Sequence, residues 1–387
     1  MADAEIVFAF DARIDRPPCP VDMPSDRRQR FATAAMAALE NVFTVAVDRE
    51  AAVLVLFGEL LTPARTSPAQ AADVATWIES FQEMGGDVIA TAADSEAAST
   101  LATALGDPPG LHLLVPRERV AICRGPLTIA LACDDPRDIS VTTHRAAARP
   151  NADESDEEAD APERTSRAVA RLVVRGQRDR ARPLPAGLSE GVRHHTLPSL
   201  QPRSLAEHGP GSAAILRLSS EGRINDWSPF PTAVVSWQTV RTVCSATEQE
   251  EELSATAAAE VEQAVAGCTT PLSIVRVAVD CEGDAERRVR VSRIAPSVLG
   301  EIRQLLESPP TEPGQVLAWC DRVEADPAES LEPVAAADDL GGSRRFPAML
   351  ASEAATWPLD TAGDSRLDPA VVVREAAWMT LELLEDD

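Results

Sequence analysis

Asp11 and Glu59 each follow a short apolar run, the first in FAFDARIDRP (8–17) and the second in VLVLFGELL (53–61). A parallel sheet presents carboxylates in this way, at the C-terminal ends of its strands, where divalent cations can be held. Asp94 follows a third run, DVIAT at 87–91, through Thr91-Ala92-Ala93-Asp94. Two metal ions held close together need several carboxylate, imidazole or amide ligands, both to replace water and to offset their mutual repulsion. Arg13 stands two residues beyond Asp11, so a permanent positive charge falls where a cation would go. Two outcomes are open: Arg13, with Arg178, pairs with Asp11, Glu59 and Asp94 and holds the strand ends without metal, or both side chains turn to solvent.

The elements that must position these residues read from hydrophobic periodicity. Residues 5–10 predict a buried strand, 25–49 an amphipathic helix, and 53–57 a strand covered on both faces. Ser67 as N-cap and Pro68 at the first helical position predict a helix over 68–84, ended by Gly85-Gly86, and 87–91 predicts the third strand. The β-α-β-α-β alternation implies a parallel sheet with right-handed crossovers. Further strands are expected at 127–133 and 172–174. Those at 213–218, 223–227 and 233–237 are expected as an antiparallel meander closing a second sheet. A small α/β module follows: helix 248–267, strand 272–280 with clean alternation, and helix 297–306.

Composition bounds the function. A chain of 387 residues suggests two or three domains. The net charge of -26 repels a polyanion over the whole surface, so tight non-specific nucleic-acid binding is not expected without a local basic patch or a partner. All basic residues are Arg, so a P-loop lacks its Lys, and no G-x-S-x-G marks a hydrolase elbow. The seven cysteines are scattered without a C-x-x-C pair, which favours reduced thiols over a disulfide framework or zinc ribbon. Without a long apolar run or basic leader, a soluble cytoplasmic protein is expected. The Arg residues from Arg164 to Arg182 could meet phosphates, but the acidic run 153–163 beside them favours intramolecular pairing. Adjacent His194 and His195 point to opposite faces of an extended segment and are read as a solvated loop. His112, His144 and His208 are read as surface or structural, and Trp227 and Trp237 as core.

The order of these motifs resembles the metallophosphoesterase (calcineurin-like) family, in particular the SbcD/YhaO-type subunit of DNA repair exonucleases. That family runs D-x-H, G-D, G-N-H-D, a further His, then G-H-x-H. Asp11-Ala12-Arg13, Gly58-Glu59, Thr91-Ala92-Ala93-Asp94 and Gly176-Gln177-Arg178-Asp179 stand in those places, and the lone His has no counterpart. Downstream, Thr196–Arg203 (TLPSLQPR), Glu207–Gly211 (EHGPG) and Glu221-Gly222-Arg223 continue the likeness.

The resemblance implies a two-sheet α/β sandwich flanked by helices over 1–243, with an acidic loop at 150–163. It further implies a small α/β capping domain over 244–307, a linker over 308–345 and a helical C-terminal segment over 346–387. It marks Asp11, Arg13, Glu59, Ala92, Ala93, Asp94, Gln177 and Asp179 as the former metal-site positions, of which Asp11 and Glu59 keep metal-ligating chemistry. Arg13 and Arg178 become ion-pair or anion-binding candidates. The expectation is a catalytically degenerate nuclease-subunit homologue without cofactor, a scaffold for an SMC-like ATPase that meets DNA indirectly, with a homodimer also open and no membrane role. The alternatives are an active Mn-dependent DNA exonuclease with Asp11, Glu59, Asp94 and Asp179 as a carboxylate-only site, and a metal-free phosphate or nucleic-acid binder.

Overall fold

In the computed structural model, AEIVFAF forms β1 (Ala4–Phe10), and VLVLF forms β2 (Val53–Phe57) parallel to it. The structure describes residues 3–20, 22–124, 127–145, 168–177, 192–207, 210–245, 249–282, 285–307 and 315–326. The two strands are apolar without alternation because both of their faces are covered. Val7, Ala9, Leu54 and Leu56 join one core, while Ile6, Phe8, Phe10, Val53, Val55 and Phe57 join another.

Around these strands come α1 (Ser25–Ala32), α2 (Ala34–Asp48), α3 (Pro68–Glu83), β3 (Asp87–Thr91), α4 (Ser95–Leu105) and β4 (Leu111–Leu114). The next strands are β5 (Arg119–Arg124), β6 (Leu127–Asp135), β7 (Asp138–Arg145), β8 (Ala168–Gln177), β9 (Val192–Pro198), β10 (Ser212–Leu218) and β11 (Ile224–Pro231). The described chain ends with β12 (Val235–Val243), α5 (Glu250–Ala266), β13 (Leu272–Asp280), α6 (Ala285–Leu305) and β14 (Leu317–Ala325).

Among the described residues the result is a mixed α/β fold with three sheets, ordered β11-β10-β1-β2-β3-β4, β5-β6-β7-β8-β9 and β12-β13-β14. β1 to β3 run parallel, as the alternation predicts; β4 adds parallel to β3 without having been expected, and β10 adds to β1 antiparallel. Helices α2, α3 and α4 bury Leu39, Val42, Val74, Ile78, Leu101 and Leu105 on one face of the first sheet. On its other face, Ile129, Leu131, Val141, Leu172 and Val174 of the second sheet pack against Phe8, Phe10 and Phe57.

Local signals explain the helix limits. Ser67 and Gln70 close a capping box before Pro68, so α3 starts where the sequence predicts. The helix expected over 25–49 is interrupted at Thr33, giving α1 and α2. Together these span 24 residues, the one stretch among the described residues long and apolar enough to cross a membrane. Its Phe31, Ala35, Leu39, Val42, Phe43 and Ala46 are buried inside the protein.

The chain divides into two compact units. One comprises 1–238, 264–275 and 309–321; the other comprises 239–263, 276–308 and 322–387. In the first, Met23, Phe31 and Ala34 pack with Val235, Ile274 and Trp319, and buried Arg27 donates to Ala318 O at 2.9 Å. In the second, α5 buries Leu253, Ala257 and Val261, and Val291, Val298 and Ile302 of α6 are buried.

Several expectations are corrected. The strands at 213–237 do not form one meander: β10 and β11 belong to the first sheet and β12 to the third. Ala213, Ala214, Ile215 and Leu216 are all buried, which suits a strand inside a large sheet. β13 is buried on both faces rather than alternating. The expected linker contains β14, whose consecutive buried Leu317, Ala318, Trp319 and Cys320 were hidden by Pro- and acid-rich flanks. His194 and His195 lie in β9 rather than a loop. The acidic loop 150–163 and the C-terminal segment 346–387 lie outside the described residues.

Gly176, next to last in β8, lies against the Phe10 ring, where an added Cβ would stand 2.0 Å from Cε2. Gly176→Ala is therefore expected to overpack this junction and destabilise the protein by about 2 kcal/mol, read as a lower urea midpoint at unchanged slope.

Candidate functional site

The C-terminal ends of β1 and β2 continue side by side after the regular strands stop. Asp11 N donates to Phe57 O, Arg13 N to Glu59 O and Ile14 N to Leu60 O, at 2.8, 3.0 and 3.1 Å. To keep this pairing while turning, Asp11 and Arg13 adopt positive φ of 59° and 40°, and Gly58 adopts 81°. A non-glycine residue in that region is uncommon and carries backbone strain, so the surroundings must hold it there.

What holds it is a set of buried charges. The Arg13 guanidinium Nε lies 3.2 Å from Asp11 Oδ2 and 3.0 Å from Glu59 Oε2. It is aligned for a hydrogen bond with neither, so the contacts are ionic. Both Asp11 and Arg13 are almost wholly buried, at 1% and 3% exposure. Glu59 N donates to Asp11 Oδ1 at 3.1 Å, joining the first carboxylate to the second strand's backbone.

The set extends on both sides. Arg16 Nη2 stands 3.2 Å from Glu59 Oε1, which also accepts from Thr62 Oγ1 at 3.2 Å. Asp15 Oδ1 accepts from Thr62 N at 3.0 Å. From far along the chain, Arg203 Nη2 donates to Asp11 O at 3.0 Å and lies 3.8 Å from Asp11 Oδ2, while its Nη1 lies 3.8 Å from Glu207 Oε1. The β6–β7 turn closes the floor: Pro136 O accepts from Gly58 N and Thr91 Oγ1, and Arg137 O from Gly176 N.

Asp11, Arg13 and Glu59 are thus brought together. Asp94 has another role. It is the exposed N-cap of α4, accepting from Ala97 N at 2.8 Å, and Arg13's ion pairs among the described residues go to Asp11 and Glu59. The expectation that Arg13 also neutralises Asp94 is corrected, because the helix end supplies that carboxylate with its donor. Ala92 is buried, with its N–H on Leu114 O, Ala93 is exposed, and Gln177 is half-buried at the end of β8. Arg178 and Asp179 lie outside the described residues. Asp15 and Arg16 stood inside the quoted motif without being singled out. Arg203 and Glu207 had no local signal, since their relation to Asp11 is made only by folding.

These residues do not fit a dinuclear metal centre. A guanidinium fills the space between the two carboxylates that would ligate, and a cation there would meet its charge at close range. Among the described residues, no group of three or more His, Cys, Asp or Glu is arranged to hold a metal ion.

Among the described residues, several of the remaining candidates have structural partners. His112 Nε2 faces Asp87 Oδ1 at 3.3 Å, and Arg124 donates to the same carboxylate at 2.7 Å. Arg175 of β8 pairs with Asp138 of β7 at 2.9 Å. Trp227 packs tilted on Phe8, and Trp237 Nε1 donates to Pro202 O at 3.1 Å, both core roles. His195 stacks on Trp227, with ring centroids 4.4 Å apart. Burial first, then Arg193 and His194, hold its pKa below the ordinary 6.5.

No protein-family model matches the chain, and no curated protein matches it at a significant level.

Two expectations follow. Arg13→Leu takes the nearer guanidinium away from the buried Asp11 carboxylate and should cost about 3 kcal/mol in denaturant unfolding, while Arg13→Leu with Asp11→Asn should recover most of that loss. For His195, the unfolded chain takes up a proton near 6.5 and the folded chain only at lower pH. Stability should therefore decline as pH falls below 6.5 towards the folded pKa, and His195→Gln should flatten that part of a melting-temperature profile.

Proposed function

We propose that this chain is a homologue of the SbcD/YhaO-type metallophosphoesterase subunit that has exchanged metal for ion pairs and works as a scaffold for an SMC-like ATPase in DNA repair. One observation carries the reading: the Arg13 guanidinium lies between Asp11 and Glu59, at the two strand ends where the family holds its metals. The two sheets that share a core, with helices on the outer face of the first, support the likeness in architecture.

A permanently charged side chain does there what divalent ions do in an active relative, neutralising carboxylates that converge from neighbouring strands. It cannot deprotonate water or bridge a phosphate to a nucleophile. The metal-ion route to hydrolysis is therefore absent from the proposed activity. The charge of -26 supports indirect contact with DNA, through a partner, because a polyanion is repelled by the surface as a whole.

The test is metal analysis of the purified full-length protein after Mn²⁺ loading, with a nuclease assay on single- and double-stranded DNA. No stoichiometric Mn²⁺ and no Mn²⁺-dependent cleavage are expected. Bound Mn²⁺ together with turnover abolished by Asp11→Ala would overturn the metal-free reading. Co-expression with an SMC-like coiled-coil ATPase from the same genome should give a complex that co-elutes on size exclusion, and separate elution would sink the scaffold role.

A further inference from the structure

β5 stands at one end of the five-stranded sheet, and among the described residues β6 is the strand it pairs with. Which of its backbone groups face outward follows from the ladder. Cys133 N donates to Glu118 O at 3.2 Å, and these two residues continue the register in which Arg119 faces Ala132, so they form a hydrogen-bonded pair. Pairs of that kind alternate with pairs that make no bond, so Val120, Ile122 and Arg124 turn their N–H and C=O groups to β6. Arg119, Ala121 and Cys123 turn theirs away from the sheet. Side chains alternate with the same period: Val120 and Ile122 pack on the core, whereas Arg119, Ala121 and Cys123 are exposed.

An open edge of this kind is a template for another strand. The other edges of the first two sheets are blunted. β11 carries Pro229 and Pro231, which have no N–H to offer, and β4 has 4 residues. β9 runs on into Ser199, which bridges to Phe10, and Leu200, whose N–H donates to Phe10 O.

We propose that β5 pairs antiparallel with β5 of a second copy of this chain, about a two-fold axis at Ala121, so that two five-stranded sheets become one continuous sheet. In this register Ala121 faces its own counterpart and Arg119 faces Cys123 of the other copy. All three outward residues then exchange bonds across the axis, and moving the axis by one residue leaves one of the three without its partner. The facing charges are complementary, because Glu118 stands opposite Arg124 of the other copy and no like charges are directly opposed. Arg124 is held at this edge by Nη2, which donates to Ala52 O and Gly85 O at 2.9 Å and to Asp87 Oδ2 at 2.7 Å. Cys123 O, which accepts from Arg124 Nη1 at 3.2 Å, passes on pairing to the N–H of Arg119 in the other copy. The contact involves neither Asp11 nor Glu59, so it stands or falls apart from the metal-free reading.

The test is light scattering of the full-length protein on size exclusion, in high salt that screens the repulsion between two copies of charge -26. A dimer is expected. Ala121→Pro should convert it to a monomer with unchanged circular dichroism, because the Ala121 N–H serves the second copy and not β6. A wild-type monomer, or a dimer that survives in folded Ala121→Pro, would overturn the proposal. A second variant, Ala121→Cys with Cys123→Ser, keeps the test decisive if the proline variant does not fold. Cα atoms of a hydrogen-bonded pair lie about 5.5 Å apart, so a short bismaleimide should join two chains through residue 121. Cleavage after Arg would then release two linked copies of the 120–124 peptide. A dimer in which that peptide stays unlinked uses another interface and sinks the β5 pairing.

Discussion

A carboxylate with no access to water must be paired, and that requirement at Asp11 organises the centre of this protein. Its side chain takes a backbone N–H from Glu59 and the guanidinium of Arg13, while Arg203 reaches it from far along the chain. An isolated buried charge costs several kcal/mol, so these partners are needed for the strand ends to close at all. The positive φ values at Asp11 and Arg13 follow from the same need, since that backbone turn delivers both side chains to one point.

The strands that carry the cluster are held from two sides. β1 lies between β10 and β2 in the six-stranded sheet, with one apolar set facing helices and another facing the five-stranded sheet. Burying a large aliphatic or aromatic side chain contributes about 1.5–3 kcal/mol. The Phe8, Phe10 and Phe57 side chains therefore make β1 and β2 a rigid base. Phe10 also links base and site directly, because Gly58 and Gly176 both close on its ring. Packing supplies the sheets, and the paired charges let the strand ends close.

Much of this frame was legible in the residues. The runs 53–57 and 87–91 are strands at the expected limits, and Ser67-Pro68 marks the start of α3, since continuous apolar runs and cap residues act over a few positions. Pairing partners were harder. Residues 213–218 and 233–237 look alike as short apolar runs, yet β10 enters the first sheet and β12 the third. Nothing local separates them, because a strand's neighbour is set by which core has room for its two faces. β14 escaped for the opposite reason, as its apolar run is brief and its surroundings are rich in proline and acid.

The candidate site divides along the same line. By itself the sequence determined that carboxylates follow the first two strands, that Arg13 stands two residues beyond Asp11, and that no lysine or dense histidine set is available. These are matters of residue type and short spacing. Only the tertiary structure decided that Arg13 turns inward to Asp11 and Glu59, that Asp94 is occupied in capping α4, and that Arg203 and Glu207 complete the cluster. Each of those depends on where a side chain points and what it meets across a long loop. That is set by packing and by the cost of leaving a buried charge unpaired, neither of which can be read from neighbours along the chain.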